Sequence, residues 1–169
     1  MRAFHLGRLA GTLSAPTGGM FSTMVAEPRV VWLPGGLRTE VHLVSAQTGG
    51  AFCMLVDQPL PGWSLPAHRH ANEAETIHVV EGEFEMDVDG TRSRLSPGQT
   101  IHVPRGAVHS GGNVGQEPGR RVVLFTPAGI EGFFLEAGTS SPDEEVDLAA
   151  ALAAAARHGW EFVGQRGAG

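Results

Sequence analysis

The stretch "GWSLPAHRHANEAETIHVVEG", residues 62 to 82, decides the interpretation of this chain. It carries three histidines and three glutamates, residue types that bind metal ions but also occur on ordinary solvated surfaces. Because a strand alternates its faces at every residue, His68 and His70 point the same way on an extended segment. His78 is three residues from Glu75 and so points the opposite way. We therefore expect His78 to lie outside any site that Glu75 helps to form.

Short strand-like runs surround this stretch, separated by turns that draw on 24 glycines and 11 prolines. The clearest run, "EFEMDVD" at 83–89, alternates apolar and acidic residues and ends in an Asp89–Gly90 hairpin signal. The other runs lie at 29–33, 39–45, 51–57, 75–80, 91–95, 99–103 and 120–125. Many short strands with regular turn signals predict an all-β sandwich or barrel.

The alanine-rich end of the chain carries the signals of a helix at about 142–158. Ser141 and Glu144 have the spacing of a capping box, with Pro142 at the first helical position. Gly159 follows as a stop signal. We expect this helix to be structural and to pack on the outside of the barrel, with Leu148 and Leu152 on one face.

Two spaced motifs carry a resemblance to a known family. The pattern G-x5-H-x-H-x4-E-x6-G is met by Gly62, His68, His70, Glu75 and Gly82. The pattern G-x5-P-x-G-x2-H-x3-N is met by Gly98, Pro104, Gly106, His109 and Asn113. On these residues the sequence resembles the cupin superfamily. The resemblance implies a cupin double-stranded β-helix, that is a jelly-roll barrel, over residues 29–130, followed by a C-terminal α-helix.

In cupins, the ligands of the two motifs converge on one metal ion inside the barrel. The ligand set that the resemblance implies is His68, His70, Glu75 and His109. Three imidazoles and one carboxylate suit a divalent transition metal (Fe, Mn, Ni, Co or Cu) with open positions for water or substrate. A structural zinc site would more often contain thiolates. Glu73 falls outside this set and is a candidate for the entrance of the barrel.

Among cupins, the sequence looks most like small single-domain bacterial proteins of the quercetin 2,3-dioxygenase type. This similarity lies in "LPAHRHANEAETIHVVEGEFEMDVDG", in "LSPGQTIHVPRGAVHSGGN" and, more loosely, in "TPAGIEGFFLEAG" at 126–138. It implies a dioxygenase that acts on a small enolic or aromatic substrate with O2, with Glu75 as both ligand and proton acceptor. The candidate substrate pocket consists of Phe52, Met54, Phe84, Met86 and Phe125, residues that would equally suit a plain barrel core.

Two other functions use the same residues. One is a different metal-dependent enzyme, an isomerase or lyase acting on a small metabolite without O2. The other is a non-enzymatic cupin that binds a small molecule. Oxygen uptake separates the first from the dioxygenase, and ligand-induced stabilisation without turnover would support the second.

Composition limits the partners and the compartment. The formal net charge is -6 and lysine is absent, which argues against binding to nucleic acid or to a membrane surface. No apolar run approaches the roughly 20 residues of a membrane span. Cys53 is the single cysteine, which excludes an internal disulfide and favours a reducing, cytoplasmic location.

The chain divides into three parts on sequence grounds. Residues 1–28 are a flexible extension or an over-called start, with Met20 or Met24 as the true beginning. The barrel follows at 29–130, and 131–169 form the C-terminal segment. The runs 29–33 and 51–57 are more apolar than one barrel face needs, and from them we predict a homodimer.

Overall fold

The computed structural model describes residues 27–164, and strands are the predominant regular element in them. The strands are β1 Arg29–Leu33, β2 Leu37–Leu43, β3 Cys53–Gln58, β4 Ser64–His70, β5 Ala74–Glu81, β6 Phe84–Val88, β7 Thr91–Leu95, β8 Thr100–Val103, β9 His109–Asn113, β10 Arg120–Thr126 and β11 Trp160–Phe162. The helices are α1 Ser45–Thr48, α2 Glu131–Ala137 and α3 Leu148–Arg157. Nearly all of the predicted N-terminal extension lies outside the described residues. In the described part of the chain, no helix combines the length and apolar character needed to cross a bilayer.

Residues 27–164 fold around two antiparallel sheets. The larger sheet has the strand order β1-β2-β3-β10-β5-β8, and the smaller has the order β11-β4-β9-β6-β7. The core lies between them because each strand directs alternate side chains inward. Its fully buried members include Leu55, Ile77, Val79, Phe84 and Phe125. The all-β jelly roll predicted from the sequence is confirmed.

The turns follow the sequence signals closely. β6 and β7 pair from Phe84–Leu95 to Val88–Thr91, so the turn falls on Asp89 and Gly90, both of which have positive φ. Gly82 also has positive φ, and a Cβ there would lie 2.8 Å from the Cα of Gly119. A side chain at residue 82 would therefore collide with backbone, which explains the glycine that ends the first motif.

The C-terminal helix begins later than the sequence signals indicated. α3 starts at Leu148, and its N-cap is Asp147, whose carboxylate accepts a hydrogen bond of 3.0 Å from the amide of Ala150. Ser141 instead caps a separate turn, where its hydroxyl accepts from the amide of Asp143. The helix forms over the alanine run, because alanine has the highest helix propensity and Asp147 caps its first turn.

The packing face of α3 also differs from the prediction. Ala151, Ala154 and Ala155 are buried, whereas Leu148 and Leu152 are 60% and 47% exposed. Small alanines let the helix approach the barrel closely. The two leucines then lie at the mouth of an internal cavity rather than in the helix–barrel contact.

Candidate metal centre

The four residues of the predicted ligand set converge between the two sheets. β4 supplies His68 and His70, β9 supplies His109, and β5 of the facing sheet supplies Glu75. His68 and His109 are direct partners in the β4–β9 ladder. All four side chains are buried, and one potential ligand atom from each lies within 4.8 Å of the others. The chain thus contains a three-histidine, one-glutamate cluster able to hold a metal ion.

Backbone carbonyls orient two of the imidazoles. The Nδ1–H of His68 donates to the carbonyl of Pro66 at 2.7 Å, and the Nδ1–H of His109 donates to that of Ala107 at 3.0 Å. A proton held on Nδ1 leaves Nε2 as the nitrogen that can coordinate a cation. These contacts are the supporting hydrogen bonds that metal-binding histidines usually have.

Glu75 lies at the centre of the cluster. Its Oε2 is 2.9 Å from Nε2 of His109 and 3.4 Å from Nε2 of His70. Burial alone would raise the pKa of Glu75, but the hydrogen bonds from these two imidazoles hold it well below its usual range. Glu75 is therefore ionised at neutral pH and offers an anionic oxygen ligand.

The buried surroundings shift the pKa values of His68 and His109 in opposite directions. Burial, assisted by the nearby charge of His109, lowers the pKa of His68 to about 3. Burial also opposes charge on His109, but its hydrogen bond to Glu75 outweighs this effect and raises its pKa. A neutral His68, a carboxylate and oriented Nε2 atoms form a donor set that fits a divalent transition metal.

A cavity of about 770 Å³ opens beside the cluster, within the usual range of about 300–1,000 Å³ for ligand sites. His68, Glu75 and His109 form part of its wall. The rest of the wall is mostly apolar and contains six aromatic side chains: Trp63, Phe125, Phe133, Phe134, Trp160 and Phe162. Any ion held by the cluster would be accessible to an apolar, ring-containing ligand.

The candidate pocket residues have different locations. Met86 and Phe125 line the cavity, whereas Phe84 is fully buried in the core and does not reach the cavity wall. The assignment of Phe52 and Met54 to the pocket is wrong, because Leu55 and Asp57 are the residues of this segment that face the cavity. "AFCMLVD" is apolar on both faces, so periodicity could not reveal its inward face.

Residues absent from the sequence-based set also shape the cavity. Trp160 pairs with His70 in the β11–β4 ladder, and its ring centroid lies 4.8 Å from that of His70. Arg121 and Asp57 line the wall as a buried ion pair. Nothing in the short C-terminal strand β11 predicted that Trp160 would lie beside the cluster. The signal for Arg121 was its position in "RRVVLF", where alternation places it on the same face as Val123 and Phe125.

The remaining acidic and histidine candidates lie away from the cavity. His78 faces outward, as expected, and its Nδ1 lies 2.8 Å from the hydroxyl of Thr100. Glu73 is 4% exposed but does not line the cavity wall, so the structure does not place it at the entrance. Burial raises its pKa, and its Oε2 has no hydrogen-bond partner among the described residues.

Comparison with known proteins agrees with this geometry. Residues 58–125 match the family model described as "Cupin domain". The chain is 36% identical over 67 residues to "Polyketide synthase CurC" of Streptomyces cyaneus, covering 40% of this chain and 44% of the relative. It is 42% identical over 43 residues to quercetin 2,3-dioxygenase of Bacillus subtilis (strain 168), covering 25% of this chain and 13% of that protein. The matches thus span less than half the length of either relative.

The fold comparison extends over more of the chain. KdgF from Halomonas sp. superposes with a TM-score of 0.53 at 20% sequence identity, covering 58% of this chain and 86% of that one. At this level of identity the likeness concerns the fold. Taken with the family match and the two motifs that form the buried cluster, it leads to one conclusion: residues 58–125 of this chain form a cupin domain.

Proposed function

We propose that the protein is a metal-dependent dioxygenase of the quercetin 2,3-dioxygenase type, acting with O2 on a small enolic or aromatic substrate. The observation that carries this proposal is the opening of the three-histidine, one-glutamate cluster into a large cavity with aromatic walls. The similarity to quercetin 2,3-dioxygenase supports it.

The residues of the site have separable roles in this reaction. When bound by the cluster, a divalent transition metal (Fe, Mn, Ni, Co or Cu) supplies Lewis acidity and redox chemistry at one end of the cavity. Glu75 is ionised and buried, and it accepts the proton of the substrate enol. Because its pKa is low, Glu75 is a weak base, so this transfer requires an enol acidified by the adjacent cation.

The cavity walls orient the substrate and keep water away from it. Phe125 and Trp160 lie against His70, with ring centroids 5.2 and 4.8 Å from that imidazole. A planar ring entering the cavity can stack on these aromatic faces while its enol oxygen points toward the cluster. Exclusion of bulk water strengthens the electrostatic contacts of the enolate.

Oxygen uptake tests the proposal directly. Protein loaded separately with each of the five metals is mixed with an unsubstituted flavonol, 3-hydroxyflavone, in an oxygen electrode. We expect at least one metal form to consume oxygen in step with loss of the flavonol. The proposal fails if no metal form consumes oxygen, or if the flavonol is lost equally fast under argon.

A second candidate is a metal-dependent isomerase or lyase that does not use O2. The match to "Polyketide synthase CurC", which is longer than the match to the dioxygenase, favours an enolic polyketide-like substrate for this reaction. Turnover of such a compound at the same rate with and without oxygen would select this candidate. Ligand-induced stabilisation without any turnover would instead select a binding protein.

Homodimerisation stays a prediction. β1 is an edge strand of the larger sheet, but Trp32 on β1 already exchanges two backbone hydrogen bonds with Thr139. The outer face of that sheet, which carries the half-buried Met54, Val122 and Leu124, offers a second copy an apolar surface. Sedimentation at micromolar concentrations should show a dimer, and a monomer throughout would reject the prediction.

A further inference from the structure

A buried ion pair lines the same cavity as the metal cluster. Arg121 and Asp57 are partners in the β10–β3 ladder, and their side chains are 7% and 10% exposed. Nε of Arg121 donates to Oδ1 of Asp57 at 2.9 Å, and Nη2 donates to Oδ2 at 2.6 Å. Both residues lie on the cavity wall. The pair is therefore a polar patch in surroundings that are otherwise mostly apolar.

The pair is offset from the cluster along the inward face of β10. On β10, Phe125 is the ladder partner of Glu75, and Arg121 is four residues away on the same inward face. At about 3.3 Å per residue, the two positions are about 13 Å apart along the strand. Val123, Leu55 and Ile77 line the wall around this path. The cavity wall therefore carries two polar patches separated by apolar residues.

Aromatic rings hold the guanidinium in place. The centre of the Arg121 guanidinium lies 5.4 Å from the ring centroid of Trp63 and 5.0 Å from that of Phe84. Burial opposes its charge, but Asp57 and, to a smaller extent, the charge of Glu75 more than compensate, and the pKa of Arg121 is raised. Nη1 makes no hydrogen bond to any residue in 27–164. This nitrogen is a fixed donor with unused capacity.

We propose that the Asp57–Arg121 pair is a second recognition point of this cavity, which binds a neutral hydroxyl group at the end of the substrate remote from the metal cluster. The proposal rests on the dioxygenase function and specifies its substrate class as planar phenols with oxygen groups at both ends. A phenolic hydroxyl can donate to Asp57 and accept from Nη1 of Arg121 at the same time. A carboxylate has no proton to donate and would meet the charge of Asp57, so the pair disfavours it.

Matched ligands test this inference on the metal-loaded protein. The probes are 3-hydroxyflavone, its 7-hydroxy and 4′-hydroxy derivatives, and the methyl ethers of those added hydroxyls. Affinity is measured without oxygen by quenching of tryptophan fluorescence, since Trp63 and Trp160 line the cavity. We expect one hydroxy derivative to bind about tenfold more tightly than the parent and its methyl ether to lose this gain. Equal affinities across the series, or no binding at all, would overturn the proposal.

A variant in which both residues of the pair are uncharged provides the second part of the test. In Asp57→Asn/Arg121→Gln, the tenfold preference, taken as the ratio of the two affinities measured in that same variant, should fall to less than about twofold. The control Glu136→Gln/Arg157→Gln removes an equivalent pair from an exposed surface and should keep the preference. Retention of the preference in a folded Asp57→Asn/Arg121→Gln protein would refute the proposal. If that variant does not fold, the methyl ether comparison in the unmodified protein decides.

The two proposals fail in different ways. A preference for the hydroxylated flavonol without oxygen uptake would reject the dioxygenase reaction and keep the hydroxyl-binding site. Oxygen uptake without the preference would keep the reaction and reject the site.

Discussion

Substitution of Glu75 tests the metal centre at the residue where ligand and base roles meet. Glu75 is 8% exposed, and its Oε2 lies within 3.4 Å of two histidine nitrogens. Groups that merely support a metal ligand typically contribute about 10–100-fold in metal affinity. Loss of the only carboxylate among the four clustered ligands should therefore cost at least about 100-fold in metal affinity. Glu75→Ala should also lower activity by at least about 100-fold, because it removes the proton acceptor.

Glu75→Gln separates the two roles. The amide keeps an oxygen in a similar position but carries no charge and accepts a proton poorly. We expect this variant to retain part of the metal and to show little turnover. Metal is measured by elemental analysis after dialysis, and turnover by oxygen uptake with 3-hydroxyflavone.

His78 provides the matched control on the same strand. Its side chain lies on the outer face of the larger sheet against Thr100, so His78→Ala should keep both metal and activity. This substitution should lower the free energy of unfolding by at most about 1 kcal/mol. If His78→Ala empties the site while Glu75→Ala leaves it filled, the inward face of β5 has been misassigned and the ligand set is wrong.

Three further predictions concern stability and reactivity. A chelator should lower the melting temperature by about 10 °C, because an ion at a thousandfold excess over its dissociation constant contributes ~4 kcal/mol. Calorimetry that shows complete metal removal but an unchanged melting temperature would contradict this. Asn113→Ala should lower the free energy of unfolding, measured with urea, by about 2–4 kcal/mol, since the buried amide of Asn113 makes three hydrogen bonds to loop backbone. As a control, substitution of the exposed Val114 by alanine should lower it by less than about 0.5 kcal/mol. Burial and the charge of Glu131 raise the pKa of Cys53 from 9.0 to about 12. The thiol of the folded protein should therefore resist alkylation at pH 8, and rapid alkylation of Cys53 in the folded protein would contradict this. Because the unfolded thiol ionises first, this group removes stability as pH rises above about 9.

The sequence predicted many of the strands because turn residues and alternation are local signals, as in β6 and β7. The four ligands were implied by the resemblance of two spaced motifs to those of cupins. The inward face of β3 could not be predicted in the same way, since "AFCMLVD" is apolar on both sides. There the buried contact between Asp57 and Arg121, 64 residues apart, indicates which face points inward.

The C-terminal segment shows a second limit of sequence reasoning. Ser141 and Glu144 had the spacing of a cap, but a stretch with several cap signals permits more than one start, and Asp147 caps the helix. The location of Trp160 beside His70 depends on pairing between β11 and β4, across some 90 residues of chain. Long-range pairing of this kind leaves no periodic trace in the sequence.

The central claim is that His68, His70, Glu75 and His109 hold a metal ion. The most direct test is elemental analysis of the protein purified without added metal, alongside a variant in which His109 is replaced by alanine. The account predicts close to one transition-metal ion per chain in the unmodified protein and a large loss in His109→Ala. Unmodified protein that carries no transition metal, and takes up none when Fe, Mn, Ni, Co or Cu is supplied, would contradict it.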